Sequence, residues 1–442
     1  MLKKRKFSIV LLLLIIGLSI YYLTIAYRLM LNHSPDELLR YKIPLYIYNH
    51  GALPVGTNKE VMLAFGNYSY AYYPQLLGGF LSALFMKIMA FFSTKSSLLV
   101  FAARWTSVLM GALSVYYIAK SCKILTKNNL LSYAIVIIVG LLPQFVYLSA
   151  YVNNDIIVIA GVSIMIYALI LATEKVWSYR SAVTFALGVV ICLLGYLNSI
   201  PFVFLGICYA LILLGIQVKS REITLESGIK VAIVALIIVL ITTSPLYIRN
   251  YSLYHDFTGT KAFDDAYHRW LKSGGGQTMA PYPGSIVKMI FDSKWIVTTF
   301  KSMVCLFGYM SIETKTGYYI FYLLFFYTGL LFFIALLNAK GSKNRTSNKV
   351  KLLFNGLMFL GIVLTILLSM YRSVTTDYQP QGRYILTVLP IISIWWVEGM
   401  NKFEIYSGVR AKYLSYVAIL FYMLVSIVCV FHYVMFNPML VG

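Results

Sequence analysis

Three short stretches combine acids and cations with long apolar neighbours. "SPDELLRY" holds Asp36, Glu37, Arg40 and Tyr41; "LSAYVNNDIIV" holds Asn154 and Asp155; "QGRYILTVLP" holds Gln381, Arg383 and Tyr384. A carboxylate at the mouth of a helix bundle is partly desolvated, which raises its pKa and makes it a better base. In that role Asp36, Glu37 or Asp155 would take a proton. A guanidinium can hold a phosphate through two parallel hydrogen bonds, a role open to Arg40 and Arg383. Each stretch also has a plain structural reading. Ser34 and Pro35 signal a helix start, and Arg40, one turn past Asp36 and Glu37, could pair with either acid. Asn153, Asn154 and Asp155 could cap a helix. Arg383 and Tyr384 could anchor a segment at a membrane surface.

A fourth stretch, "RNYSLYHDFTGTKAFDDAYHRWLKSGGGQTMAPYPG", carries Asp264 and Asp265 as candidate acceptor- or cation-binding groups. Its triple glycine (Gly274 to Gly276) with Pro281 and Pro283 reads as a candidate lid. His255 and His268 lack metal-ligand spacing. The five cysteines are scattered and form no CxxC or Cys/His pattern, so no zinc site or disulfide framework is expected.

The elements that must position these groups are membrane helices. Of 442 residues, 60% are hydrophobic and only 12% charged, against roughly a quarter charged in soluble domains. Mean hydropathy is +0.78. Continuous apolar runs, not alternating ones, point to helices and exclude a membrane β-barrel. The expected fold is an all-α polytopic membrane protein, one membrane domain over 1–442. Eleven spans are read at about 7–27, 104–119, 130–149, 152–172, 181–198, 201–217, 230–248, 316–338, 351–371, 384–399 and 412–434. The first is read as a retained span, since its run exceeds a signal-peptide core and no small-residue cleavage site follows. Two further apolar stretches, 75–92 and 295–310, are read as in-plane or re-entrant helices.

Charge fixes the orientation. The net charge of +22 sits in short basic clusters between spans, including Lys120, Lys123 and Lys127, Lys175 and Arg180, and Lys340, Lys343 and Arg345. This is the positive-inside pattern, not a nucleic-acid surface. It predicts the N-terminus inside and the C-terminus outside. Ten of the fifteen acids then face outward or lie at the outer boundary. So do two long loops, 28–103 with the acidic motif and an in-plane helix, and 249–315. Sequons at Asn67 and Asn250 fall on the same side.

These motifs, in this order, resemble the GT-C fold glycosyltransferases, which move a sugar from a polyprenyl-phosphate carrier. "DELLRY" looks like the Asp-Glu motif of the first outer loop in protein O-mannosyltransferases and lipid A aminoarabinose transferases. "YYPQLLGGF" sits where those proteins carry an aromatic–proline stretch before an in-plane helix. "LPQFVYLSAYVNND" and "QGRYILTVLP" are similar to a bacterial subfamily of cell-envelope transferases. The resemblance implies an inverting transfer of a sugar to an envelope glycan, lipid or protein on the extracytoplasmic face of a bacterial plasma membrane. Asp36 would be the general base, Asp155 the second acid and Arg383 the phosphate partner. Glu37 would orient Arg40 or help hold a cation. Arg40, Tyr41, Asn154, Gln381 and Tyr384 would complete the donor site. The expected partners are the lipid-linked donor, the acceptor and membrane lipid. No cofactor is assigned, and a divalent cation is an open candidate. The chain ends just after its last apolar segment, so the extra C-terminal soluble domain of some relatives is not expected. A lipid-linked-saccharide transporter or flippase, a polysaccharide polymerase or ligase, and a non-catalytic scaffold are the alternatives. Transport would place the charges near the bilayer midplane, on helices broken by Gly or Pro.

Overall fold

The computed structural model describes residues 2–62, 68–274, 280–335 and 348–441. The Asn67 sequon, Gly275 and Gly276 of the triple glycine, and Lys340, Lys343 and Arg345 lie outside the described residues.

The helices in chain order are α1 (Leu2–Arg28), α2 (Glu37–His50), α3 (Leu77–Ala90), α4 (Ser96–Thr126), α5 (Asn129–Gly140), α6 (Pro143–Leu148), α7 (Asp155–Lys175) and α8 (Tyr179–Gly195). They continue as α9 (Ile200–Lys219), α10 (Leu225–Tyr254), α11 (Thr260–Lys272), α12 (Ile286–Asp292), α13 (Trp295–Val304), α14 (Thr316–Ala335), α15 (Asn348–Thr375) and α16 (Leu389–Val430). Among the described residues, nine helical segments are long and apolar enough to cross a membrane.

Among the described residues each of the eleven apolar segments is helical, with two differences from the sequence reading. The segment at 130–149 is broken into α5 and α6. Pro143 has no N–H to continue the ladder and pushes Leu142 out of helical geometry, to φ −58° and ψ 120°. The segment at 384–399 begins as a 3-10 turn over Gly382–Val388 before α16 starts. Gly408, at φ 76° and ψ −158°, then divides α16 into the two apolar stretches expected there. The stretches at 75–92 and 295–310 form α3 and α13, of 14 and 10 residues. At 1.5 Å per residue these reach about 21 and 15 Å, short of the ~30 Å of hydrocarbon. A two-stranded hairpin pairs Leu306 with Glu313 and Phe307 with Ile312.

α7 is apolar all round because it is the core: residues 155–172 are all buried. Its main partners are α8 and α4. α10 is apolar for the opposite reason, with Leu236, Leu240, Ile241 and Ile248 turned outward. The basic clusters between spans, such as Lys120, Lys123 and Lys127, and the acidic motifs occupy opposite ends of the bundle. At one end Lys123 lies over the ring of Phe7, 5.5 Å from its centroid, and Asn128 meets Glu404. At the other, Met30 N–H donates to Leu440 at 2.8 Å, so the last helix returns beside the end of the first. That second end carries the candidate site.

Candidate active site

Four connections converge at this end: the link from α1 to α2, the turn from α6 into α7, the α8–α9 turn, and the segment before α16. They supply Asp36 and Arg40, Asn154 and Asp155, Tyr196, and Gln379 to Tyr384. All sit at helix ends, not at helix centres.

Asp36 occupies the N-cap position of α2 with φ 60° and ψ 2°. Left-handed backbone at a non-glycine residue costs about 1–3 kcal/mol, and Asp tolerates it better than most. Its side chain makes no capping bond. Instead its Oδ2 accepts a 2.7 Å hydrogen bond from Arg383 Nη2. Burial raises the Asp36 pKa, but the guanidinium charges of Arg383 and Arg40, with hydrogen bonds from Arg383 and Tyr70, outweigh it and hold the carboxyl below the usual range. Asp36 is therefore an ionised carboxylate, with its side chain 30% exposed beside a cavity.

Arg383 is fixed from several directions. Its Nε donates to Gln381 Oε1 at 2.7 Å, and its Nη2 also reaches the Tyr384 hydroxyl at 3.0 Å. That hydroxyl donates onward to Gln379 Oε1 at 2.6 Å. The approach depends on Gly382. A Cβ there would lie 2.2 Å from Met303 N and 2.5 Å from Thr299 O, both in α13. Asp155 opens α7, 3.9 Å from Arg383 Nη1, and neither of its carboxylate oxygens accepts a hydrogen bond. A buried carboxylate without a donor is costly. Asn153, not Asp155, caps the helix: its Oδ1 accepts from Ile156 N–H at 3.0 Å. Asn154 ties α7 to α8 through Gly195 O at 2.8 Å.

Arg40 pairs with neither Asp36 nor Glu37 by hydrogen bond. It lies between aromatic rings, 4.4 Å from the centroid of Tyr70 and 5.1 Å from that of Tyr196. Its Nε is buried without an acceptor.

Glu37 and Tyr41 face away from the cavity. Glu37 is fully buried in a bidentate pair with Arg104, at 2.7 and 2.9 Å, and also accepts from Val152 N–H at 3.1 Å. Arg104 in turn donates to the carbonyls of Ala26, Leu29 and Met30. The pair locks α2 to α4 and to the end of α1. Tyr41 packs with Met86, Leu99 and Val152.

Asp36, Arg40, Asn154, Tyr384 and Asp264 line a common cavity of about 620 Å³. Arg383, Gln381 and Asp155 lie in the layer behind, while Asp265 is exposed on the far face of α11. Apolar side chains also line it, among them Ile43, Ile157, Leu197, Ile200 and Leu368. Gly78 and Gly79 of α3 also border it. The sequence reading did not single out Arg104, Tyr70, Tyr196, Gln379 or Arg372. Arg104 carried one available signal, a cation inside an apolar run. Tyr70 and Tyr196 carried none, being two of 37 tyrosines.

The family model described as "Predicted membrane protein (DUF2142)" matches residues 45–392. The chain belongs to this family. Asp155 and Arg383 of this DUF2142 protein lie inside the matched stretch, and Asp36 and Arg40 precede it. No curated protein matches the sequence. Among solved structures, ArnT from Cupriavidus metallidurans in the apo state is similar over 88% of this chain, at 12% identity and a TM-score of 0.54. The DUF2142 chain spans 59% of the ArnT length. The Archaeoglobus fulgidus oligosaccharyltransferase aligns over 93% of this chain and 52% of its own, at 13% identity and a TM-score of 0.49. The fold is that of the GT-C membrane proteins.

Proposed function

We propose that this protein is a membrane glycosyltransferase that moves a sugar from a polyprenyl-phosphate donor to an envelope acceptor. One observation carries the reading: an ionised carboxylate and a guanidinium share one cavity that apolar side chains also line. A lipid-phosphate-sugar has those three parts: an apolar tail, an anion and a reactive carbon.

In this reading the acceptor hydroxyl oxygen attacks the anomeric carbon from the face opposite the phosphate. The carbon–oxygen bond to phosphate breaks, its electron pair leaves with the polyprenyl phosphate, and the sugar is inverted. The hydroxyl proton passes to Asp36. Arg383 keeps Asp36 ionised and therefore able to take that proton at neutral pH. A weak base suffices because the attacked carbon is oxocarbenium-like. Charge grows on the departing phosphate, and a guanidinium already in place lowers that barrier. Arg40 suits this role, since its Nε has no acceptor in the protein. Arg383 was the expected phosphate partner; its bonds to Asp36, Gln381 and Tyr384 instead suit it to orienting the base. Asp155, at 3.9 Å, shares its charge.

Among the described residues no three His, Cys, Asp or Glu side chains cluster. Asp36 and Asp155 already bracket a guanidinium, so this donor set does not suit a divalent cation, and no step is routed through one. The helix-end position of the charges favours transfer over transport, which would place them at the midplane. The basic clusters between spans at the opposite end favour an extracytoplasmic cavity in a bacterial plasma membrane. The α3 border of the cavity supports a lateral groove for the tail.

The test is label transfer in membranes supplied with radiolabelled polyprenyl-phosphate sugars and native envelope acceptor. Wild type should transfer from at least one donor, and Arg40→Gln should require far more donor for the same rate. No transfer from any donor, at verified expression, overturns the reading.

A further inference from the structure

The cavity has a second functional wall, formed by α11. Phe263 and Tyr267, one helical turn apart, and Asp264 between them all line it. The helix is firmly placed. The Asp256 carboxylate accepts from the backbone N–H groups of Thr258 and Lys261 at 3.0 and 2.8 Å. Gly259, at φ 71°, lets the chain pass so close to the first loop that a Cβ would lie 2.0 Å from Tyr72 O. Asn250 Nδ2 donates to that same carbonyl at 2.8 Å.

The rings form a near-parallel ladder. Phe263 lies 5.7 Å from Tyr70 at 12° and 6.1 Å from Tyr267 at 10°. Beside them the Asp264 carboxyl is pushed up by burial, with Arg372 and His268 opposing that. Flat apolar faces with an adjacent carboxylate match the chemistry of a sugar. Its C–H faces lie against rings, and its hydroxyls donate to an oxygen pair that can accept several hydrogen bonds. Outside the ring face α11 is polar, with Lys261, Arg269 and Lys272 exposed, which suits a hydroxyl-rich acceptor better than a lipid tail. The cavity lining holds no strand edge with which an extended peptide could pair.

We propose that this α11 face binds the acceptor and that the acceptor is a glycan, with Phe263 and Tyr267 bearing its sugar rings and Asp264 accepting from its hydroxyls. The inference rests on the transferase reading of the same cavity. The test is equilibrium binding, without donor, of labelled oligosaccharides released by mild acid from the envelope of the source cells. Wild type in detergent should bind them. Asp264→Asn and Tyr267→Leu should weaken binding by about tenfold or more, the loss of one charge-assisted hydrogen bond or one stacking face. Asp265→Asn, on the exposed side of the same helix, should not. Binding of a polyprenyl-phosphate sugar should be equal in all four. Failure of wild type to bind any oligosaccharide, or equal binding by the Asp264 and Tyr267 variants, overturns the proposal. Glycan binding lost in those variants, alongside no donor binding in wild type, would keep the α11 site and remove the transferase reading instead.

Discussion

Replacing Asp36 with Asn tests the chemistry most directly. Asn has nearly the same size and keeps an oxygen that can accept from Arg383 Nη2, so the 2.7 Å contact has a replacement. What disappears is the negative charge and the capacity to take a proton. A positioned general base contributes about 10²–10⁴ in rate, so the turnover number should fall by that factor. Arg40 is untouched, so the KM for donor should change little, the pattern of a lost transition-state interaction. The pH profile gives an independent readout. The Asp36 pKa lies below the ordinary carboxylate value, because two guanidinium groups and two hydrogen bonds outweigh its burial. The ionised form is thus fully present above the ordinary value and is lost only as pH falls through the lowered one. The wild-type rate should show no Asp36 limb between about pH 5 and 7, and an acid limb only below about pH 4. The assay is initial-rate label transfer at saturating donor, at equal expression. Transfer by Asp36→Asn at the wild-type rate would refute the assignment. So would a limb near pH 6 that vanishes in the variant, since that would require a raised carboxyl.

Glu37→Gln should destabilise the protein by about 3–5 kcal/mol, because it strands the buried Arg104 charge, and Glu37→Gln with Arg104→Met should recover part of that loss in detergent unfolding. Gly382→Ala should cost about 1–3 kcal/mol by driving a methyl into the α13 backbone, and should slow transfer further because Arg383 is displaced; a neutral variant would show that α13 can move away freely. Arg40→Lys should raise the donor KM despite keeping the charge, since an ammonium cannot reproduce the planar stacking between Tyr70 and Tyr196; an unchanged KM would show that charge alone suffices. Chelation with EDTA should leave the transfer rate unchanged, and a loss restored by one added divalent metal would place a cation in the site after all.

The fold was legible in the sequence because lipid leaves so few options. A long apolar run must satisfy its own backbone, so helices follow from composition, and the basic clusters mark one end of the bundle. The same logic exposed the site's location, since Asp36, Asp155 and Arg383 each adjoin an apolar run at the end opposite the basic clusters. Pro143 was visible too, and the rule that Pro ends a helix at the preceding residue would have split the segment at 130–149.

Partnership was not legible. Glu37 and Asp36 are adjacent in sequence, yet the left-handed backbone at Asp36 helps send their side chains to different destinations, one to Arg383 beside the cavity and one to Arg104 in the core. Sequence spacing gave both acids an equal claim on Arg40, and Arg40 took neither because Tyr70 and Tyr196 arrive from distant segments to hold it. The same holds for α11. Asp264 and Asp265 are equivalent as letters, and only the seating of that helix, through Asp256 and Gly259, turns the first inward and leaves the second in solvent. Composition and periodicity decide what a segment must become; which charges meet depends on contacts made across hundreds of residues, and those exist only once the bundle has closed.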